Sequence, residues 1–358
     1  MLIAYTLEQC WHRVPGGTGI SAIEVARELA LRSDVEVIGV AGRHRHPPTV
    51  GFAPPISVSS LPIGGPFLYE SWLRLGWPKV ESVVDEADLV HSTTIIPPAT
   101  SLPLVVTIHD LAFLRHPDFF TARGNKVFRR SLDIIRDKAA MVLCSSQATF
   151  DDCQTAGIDT DRLRLVPLGV SAQTITDIDR ARVRATYELP ERFVLFVGTL
   201  EPRKNLARLI AALDSIRGAP PLVVAGMAGW GDHTPATAYD VRFTGFVPAH
   251  NLPALYEAST VFAFPSILEG YGLPVIEAMA HGAAVVTSRG TSTEEVAGGA
   301  AVLVDPLSIE SIAAGLSEAL ANVDQLRTSG IARAAQVPWS VTADATVSAY
   351  REVLGVSS

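Results

Sequence analysis

An alternation that starts twice constrains this sequence more than any other feature. Short apolar runs, each followed by a longer stretch of helical spacing, argue for parallel sheets covered on both faces. In the first series the expected strands are Leu2–Thr6, Val35–Val40, Ile56–Leu61, Asp88–His91, Leu104–Ile108, Ala140–Cys144 and Leu163–Val166. Between them, Ser21–Leu31 carries apolar residues at three- and four-residue spacing, and Gly124–Asp137 is polar and amphipathic. The pattern then begins again at Phe193–Val197, with further strands at Leu222–Ala225, Val241–Thr244, Val261–Phe264, Ala284–Thr287 and Ala301–Val304. Helices are expected at Asn205–Ile216, Pro253–Ala258, Pro274–Ala280, Ile309–Asn322 and Val341–Leu354. The fold class is therefore α/β, with two Rossmann-like, doubly wound parallel-sheet domains. Residues 1–175 form the first and 185–339 the second. The polar stretch 176–184 reads as a linker, and 340–358 as a terminal helix crossing back to the first domain, anchored by Trp339.

Composition narrows what such a chain does. With 48% hydrophobic and 18% charged residues in 358, it has enough apolar mass for two cores and is not disordered. A net charge of −8 gives no general basic face for nucleic acid. Cys10, Cys144 and Cys153 include no C-x-x-C pair, and an odd number argues against a disulfide framework. The first residues lack a basic segment followed by a long apolar run, and no run of about 18 apolar residues occurs. The expected location is the cytoplasm.

In an open α/β sheet, ligands sit beyond the carboxyl ends of the strands. After the first strand lies Val14-Pro-Gly-Gly-Thr-Gly-Ile20, a glycine-rich loop able to approach phosphate through its amides. It is not a dinucleotide fingerprint, because the second strand ends Val40-Ala-Gly42 without an acid. His109-Asp110 abruptly ends the fifth strand; the two side chains either reach a substrate or cap the following turn. In the second domain the first strand runs into Gly198-Thr-Leu-Glu-Pro-Arg-Lys-Asn205. Cations at a helix start oppose the macrodipole, so Arg203 and Lys204 point to a bound diphosphate. The segment Phe264–Gly282 then places Glu269, Gly270 and Gly272 in a loop, Pro274 at a helix start and Glu277 one turn in. Carboxylates suit sugar and ribose hydroxyls, and helix-start amides suit phosphate.

The pair Glu269 and Glu277 inside EGYGLPVIEAMAHG, with GTLEPRKNL, TIHDLAFL and TSTEEVAGGAAVLVDP, resembles the retaining glycosyltransferases of family 4, over nearly the whole chain. The resemblance implies the GT-B fold, two Rossmann-like domains facing across a cleft, and a nucleotide-diphosphate sugar as donor. By position it makes Lys204 the phosphate-binding lysine, Glu277 the carboxylate at the ribose and Glu269 the carboxylate beside the transferred sugar. The amides of Gly270, Tyr271, Gly272 and Leu273 fall where the family contacts diphosphate and sugar. Gly16 and Gly17 match glycines that close over the donor phosphates, and His109 matches a histidine near the sugar. Glu295 matches a further family position. Many members carry an arginine directly after the strand-end glycine; here that position is Thr199, and Arg203 is the candidate replacement.

The resulting expectation is a metal-independent, retaining transfer of a hexose, mannose from GDP-mannose in first place, to a hydroxyl acceptor in glycan, glycolipid or cell-envelope biosynthesis. No Asp-x-Asp and no ligand-spaced His/carboxylate cluster occurs, so neither metal nor cofactor is expected. A UDP-sugar donor is the alternative, and a non-catalytic sugar-nucleotide-binding scaffold is the alternative of another class. The acceptor is expected to be glycan or lipid-linked, with no nucleic acid partner. The aromatic stretch Gly65–Lys79 reads either as a helix packed into the domain or as a lipid-facing segment, allowing peripheral contact with the inner face of a membrane. The basic run Arg43–His46 reads as a solvated loop.

Overall fold

The computed structural model describes residues 1–227 and 237–356, which fall into two units, Met1–Gly169 with Trp339 onward, and Val170–Pro338. The first unit holds strands β1 (Leu2–Thr6), β2 (Glu36–Gly42), β3 (Val58–Leu61), β4 (Leu89–Ser92), β5 (Leu104–Ile108), β6 (Met141–Cys144) and β7 (Leu163–Leu165). All pair in parallel, in the order β3-β2-β1-β4-β5-β6-β7. Its helices are α1 (Gly16–Ala30), α2 (Pro66–Leu75), α3 (Ala112–Arg115), α4 (Ala122–Lys138) and α5 (Gln147–Thr155). β4 is buried along its whole length, as a strand covered on both faces must be.

The second unit repeats the plan. Helix α6 (Asp177–Thr186) leads into β8 (Val194–Val197), α7 (Leu206–Asp214), β9 (Leu222–Ala225), β10 (Val241–Gly245) and α8 (Leu252–Ala258). There follow β11 (Val261–Phe264), α9 (Leu273–Ala280), β12 (Ala284–Ser288), α10 (Ser292–Ala297), β13 (Val302–Val304), α11 (Ile309–Ala321) and α12 (Val323–Ala334). Its six parallel strands run β10-β9-β8-β11-β12-β13. In each sheet the order reverses beside the first strand, at β1/β4 and at β8/β11, and that switch point opens a crevice at the carboxyl ends.

Two sequence readings change here. Residues 176–184 are not a linker: α6 spans them, closed by a capping box in which Thr176 and Asp179 satisfy each other's backbone amides. Val183 is fully buried, and Arg180 binds Glu257 of α8 through Nε and Nη2, each at 2.8 Å. The glycine-rich segment is not all loop either, because α1 begins at Gly16.

The last helix, α13 (Trp339–Leu354), belongs to the first unit. Trp339 is buried, Thr342 donates to the Pro167 carbonyl at 2.8 Å, and the Tyr350 hydroxyl meets His91 Nδ1 at 2.6 Å.

Candidate functional site

In the second unit the chemistry gathers at the β8/β11 switch point. β8 ends at Val197, and the chain turns through Pro202–Lys204 before Asn205, in the left-handed region at φ 64°, caps the start of α7. Asn205 holds this turn against its neighbours, its Nδ2 donating to the carbonyls of Pro265 (2.9 Å) and Pro306 (2.6 Å). The backbone of Arg203 also accepts from Ile267 at 2.8 Å, so the β8 and β11 loops are stitched together.

That stitching brings three predicted residues into one ion-pair cluster. Lys204 Nζ lies 2.6 Å from Glu269 Oε1, and Arg203 Nη1 lies 2.8 Å from Glu269 Oε2. Arg203 Nε also holds Glu201 at 2.7 Å, and Lys204 sits over the Phe264 ring at 4.6 Å. Burial pushes the Glu269 carboxyl up, but Lys204 and Arg203 outweigh it and hold the group below its usual range. Burial lowers Lys204, which Glu269 counteracts. Lys204 and Glu269 are thus nearly dry charges that stay charged through one another, with the partly exposed Arg203 beside them.

Gly272 stands between this cluster and α9. Its φ is 105°, and a Cβ there would lie 2.7 Å from the Thr293 methyl, so glycine is required twice over. Leu273 opens the helix; Pro274 in its first turn has no amide hydrogen, and the Val275 amide donates to the Gly272 carbonyl at 2.9 Å, which leaves the Leu273 amide as the one the helix itself does not use. Glu277 is not part of the ion-pair cluster: its carboxylate accepts from Tyr256 Oη at 3.1 Å, and burial raises its pKa. Tyr271 is buried, and Ser292 of α10 donates to the Glu269 carbonyl at 2.8 Å. Tyr256 and Ser292 are not among the residues expected from sequence. Tyr256 lies in an otherwise ordinary amphipathic helix, and nothing in its spacing marks it.

The first unit carries a different site. Gly16 and Gly17 are exposed in the first turn of α1. Ser21 of that helix lies 3.4 Å from His109 Nε2. Burial lowers the His109 pKa, with Asp110 acting against it, which favours the neutral ring. Asp110 closes the turn instead, accepting from the Ala112 amide at 3.0 Å. The His109 side chain lines a cavity of about 540 Å³ whose walls are largely apolar, among them Tyr69, Ile95, Ile96, Phe113, Phe120 and Phe128.

Glu8, unremarked in the sequence, frames this end of the sheet. It is buried and accepts from the amides of Gly42 and Gly65, each at 2.6 Å, and from His44 Nε2 at 3.1 Å. His44 stacks on Trp11 with centroids 4.8 Å apart, so this part of the Arg43–His46 run is anchored and not a free solvated loop. An acid directly past the first strand was the available signal. Gln9 and Thr93 join the β1 and β4 ends through a 2.6 Å hydrogen bond.

No group of three or more His, Cys, Asp or Glu side chains lies together as metal ligands would among the described residues. No helix among them is long and apolar enough to cross a membrane.

Comparison with known proteins follows these two halves. Residues 15–174 match the family model described as Glycosyltransferase Family 4, and residues 177–336 the one described as Glycosyl transferases group 1. The O-antigen chain mannosyltransferase B of Escherichia coli is 30% identical over 265 residues, 69% of this chain and 70% of that one. The serotype-specific mannosyltransferase WbdA of Escherichia coli is 27% identical over 74% of this chain, which spans only 35% of that longer protein. The D-inositol 3-phosphate glycosyltransferase of Nocardia farcinica is 29% identical over 95% of this chain and 85% of its own. Among solved structures, Anabaena HepE in complex with UDP and glucose superposes with a TM-score of 0.74 at 19% identity, covering 98% of this chain and 99% of that one.

Proposed function

This chain belongs to glycosyltransferase family 4 and has the GT-B fold, and from that premise we propose that it is a retaining, metal-independent hexosyltransferase using GDP-mannose. The acceptor is a hydroxyl of a glycan or lipid-linked molecule in glycan, glycolipid or cell-envelope biosynthesis. The enzyme works in the cytoplasm, with peripheral contact to the inner membrane face. The observation that carries the reading is the cluster of Arg203 and Lys204 on Glu269 at the β8/β11 switch point. Two cations and the amides of Gly270, Tyr271, Gly272 and Leu273 bind the donor diphosphate and sugar, Glu277 the ribose hydroxyls, and Glu269 the hydroxyls of the sugar. Gly16 and Gly17 supply flexible amides for the phosphates, and His109, held neutral, offers a hydrogen bond to the sugar.

As the glycosidic bond to the diphosphate breaks, negative charge grows on the departing phosphates, and fixed cations stabilise it most at that moment. Arg203 and Lys204 supply the work a divalent cation does elsewhere. Full activity in excess EDTA is therefore expected; complete loss would contradict the reading. Glu269 is held by two cations and is not free to attack an anomeric carbon. A front-face reaction follows, in which the leaving diphosphate takes the acceptor's proton and configuration is retained.

The mannosyl assignment draws support from the named activity of the O-antigen chain mannosyltransferase B and of WbdA. A UDP-sugar donor is the second reading, favoured by HepE, which is described in complex with UDP-glucose. Thermal shifts with GDP-mannose, UDP-glucose and ADP-glucose separate them. Stabilisation by GDP-mannose alone is expected, whereas stabilisation by UDP-glucose alone overturns the donor assignment. Slow hydrolysis of the donor without acceptor excludes a non-catalytic scaffold.

A further inference from the structure

The second unit has a cavity of about 780 Å³ at the end of its sheet opposite the ion-pair cluster. Arg192 lies just before β8 and Thr260 just before β11, so the cavity opens at the amino ends of these strands. Helices α6 and α8 and the junction of α11 with α12 complete its wall. Ligands of an open α/β sheet sit at the carboxyl ends, and the donor chemistry above uses no residue here. The volume is nonetheless that of a small-molecule site, about 300–1,000 Å³.

Four arginines line this cavity, and carboxylates engage only one of them. Arg180 binds Asp177 at 2.7 Å and Glu257 at 2.8 Å. Arg184 donates to the Pro190 carbonyl at 3.2 Å, and Arg327 donates through Nη2 to the Ser259 carbonyl at 2.9 Å; neither contact neutralises a charge. Arg192 makes no side-chain hydrogen bond or ion pair among the described residues. Arg327 Nε is buried with no hydrogen-bond partner among them. A buried donor left unpaired is costly, and a bound acceptor would satisfy it. The chain carries a net charge of −8, so three guanidiniums without a carboxylate in one hollow are not what its average surface supplies. Glu191 and Asp324 stand in the same wall with Gln325, and neither acid is in an ion pair among the described residues. A bare anion would be repelled by the two acids. A phosphate carried on a polyol uses both sets of groups.

We propose that this cavity binds a phosphorylated sugar, with Arg184, Arg192 and Arg327 on the phosphate and Glu191, Asp324 and Gln325 on the hydroxyls. Helix α8 joins the cavity to the donor end of the same unit. Glu257 and Ala258 line the cavity, the adjacent Tyr256 donates to Glu277 at 3.1 Å, and Ser259 at the end of the helix holds Arg327. Occupancy of the cavity therefore acts on the tyrosine that positions Glu277 and shifts donor affinity, reciprocally. Only this coupling rests on the function proposed above.

The test is calorimetric titration of the full chain with mannose 6-phosphate, mannose and inorganic phosphate. Mannose 6-phosphate is expected to bind, with mannose and phosphate each about tenfold weaker or more. R184E/R192E changes two exposed side chains and should lower that affinity about tenfold or more; R327K keeps the charge, loses the fork and should lower it about threefold. Circular dichroism checks that both variants are folded. Lys204→Met, at the other end of the sheet, should leave it unchanged. Saturation with mannose 6-phosphate should shift GDP-mannose affinity about fivefold in the wild type and not in R184E/R192E. Absence of mannose 6-phosphate binding at millimolar concentration, or equal affinity in folded R184E/R192E, overturns the proposal. So does inorganic phosphate binding as tightly as the sugar phosphate, or a loss in Lys204→Met, which would put the ligand in the donor site. Mannose 6-phosphate binding without any binding of GDP-mannose supports the cavity and removes the donor reading.

Discussion

The two units share a sheet plan and differ in what they hold at its carboxyl end. The second unit holds charge: Lys204 and Arg203 each lie within 2.8 Å of Glu269, with Lys204 and Glu269 nearly dry and Arg203 partly exposed. The first holds apolar volume: a cavity of about 540 Å³ with a neutral histidine in its wall. Under the function proposed above, the difference is one of substrate chemistry: one architecture is given a charged end and an apolar one. A diphosphate needs fixed cations that are present before the charge develops.

The sharpest way to break this contrast is to remove charge from the second unit. Lys204→Ala and Glu269→Ala are each expected to lower kcat/KM by about 10²-fold or more, measured as nucleotide release from the donor. A near-normal rate in either variant removes that residue from the site. In the first unit the corresponding loss appears first as stability. Glu8→Ala leaves the Gly42 and Gly65 amides buried without an acceptor, and denaturant unfolding should show a loss of about 2–3 kcal/mol. An unchanged midpoint would mean that water replaces the carboxylate.

A pH experiment sharpens the same contrast. Burial lowers the His91 pKa to about 3, with His109 adding to the shift, whereas the unfolded ring titrates near 6.5. A depressed histidine favours folding above the unfolded pKa. That contribution is lost as the pH falls from about 6.5 toward 3, at up to about 1.4 kcal/mol per pH unit, because the unfolded chain binds the proton first. His91→Gln should flatten the stability profile between pH 6.5 and 5; an unchanged slope would assign it to other groups. The smallest expected effect is Tyr350→Phe. It removes the 2.6 Å contact with His91 and should cost about 1 kcal/mol in thermal or denaturant unfolding.

The same contrast governs what was legible in the sequence. The strands read from apolar runs are present, with edges displaced by one or two residues, as at β3 and β4. Arg203, Lys204 and Glu269 were readable because strand-end loops of eight or so residues carry them in a tight local pattern. The apolar cavity was not, since its wall is collected from Gln9 to Phe128 and each aromatic alone looks like core. Glu8 was missed for the same reason: its partners, Gly42, His44 and Gly65, are distant in the chain and two of them contribute only backbone. The supposed linker failed differently. Thr176 through Arg184 is polar enough to read as solvated chain, but TDID is itself a capping signal, and one buried Val183 with the Arg180–Glu257 pair holds the helix down. Glycines at 16 and 17 masked the start of α1, because they are poor helix formers placed where a phosphate is expected. Thr199 had left Arg203 as the candidate replacement for a missing guanidinium; Arg203 is bound to Glu201 and Glu269 at once, so its charge is fixed in place at the cluster.

The claim that everything else depends on is that this ion-pair cluster binds the donor diphosphate. Calorimetric titration of GDP-mannose into the wild type and Lys204→Met tests it most directly. The account predicts measurable binding in the wild type and a loss of about 30-fold or more in the variant, the effect of removing a charged hydrogen bond to phosphate. Equal affinity in the two proteins, with both folded, would contradict it.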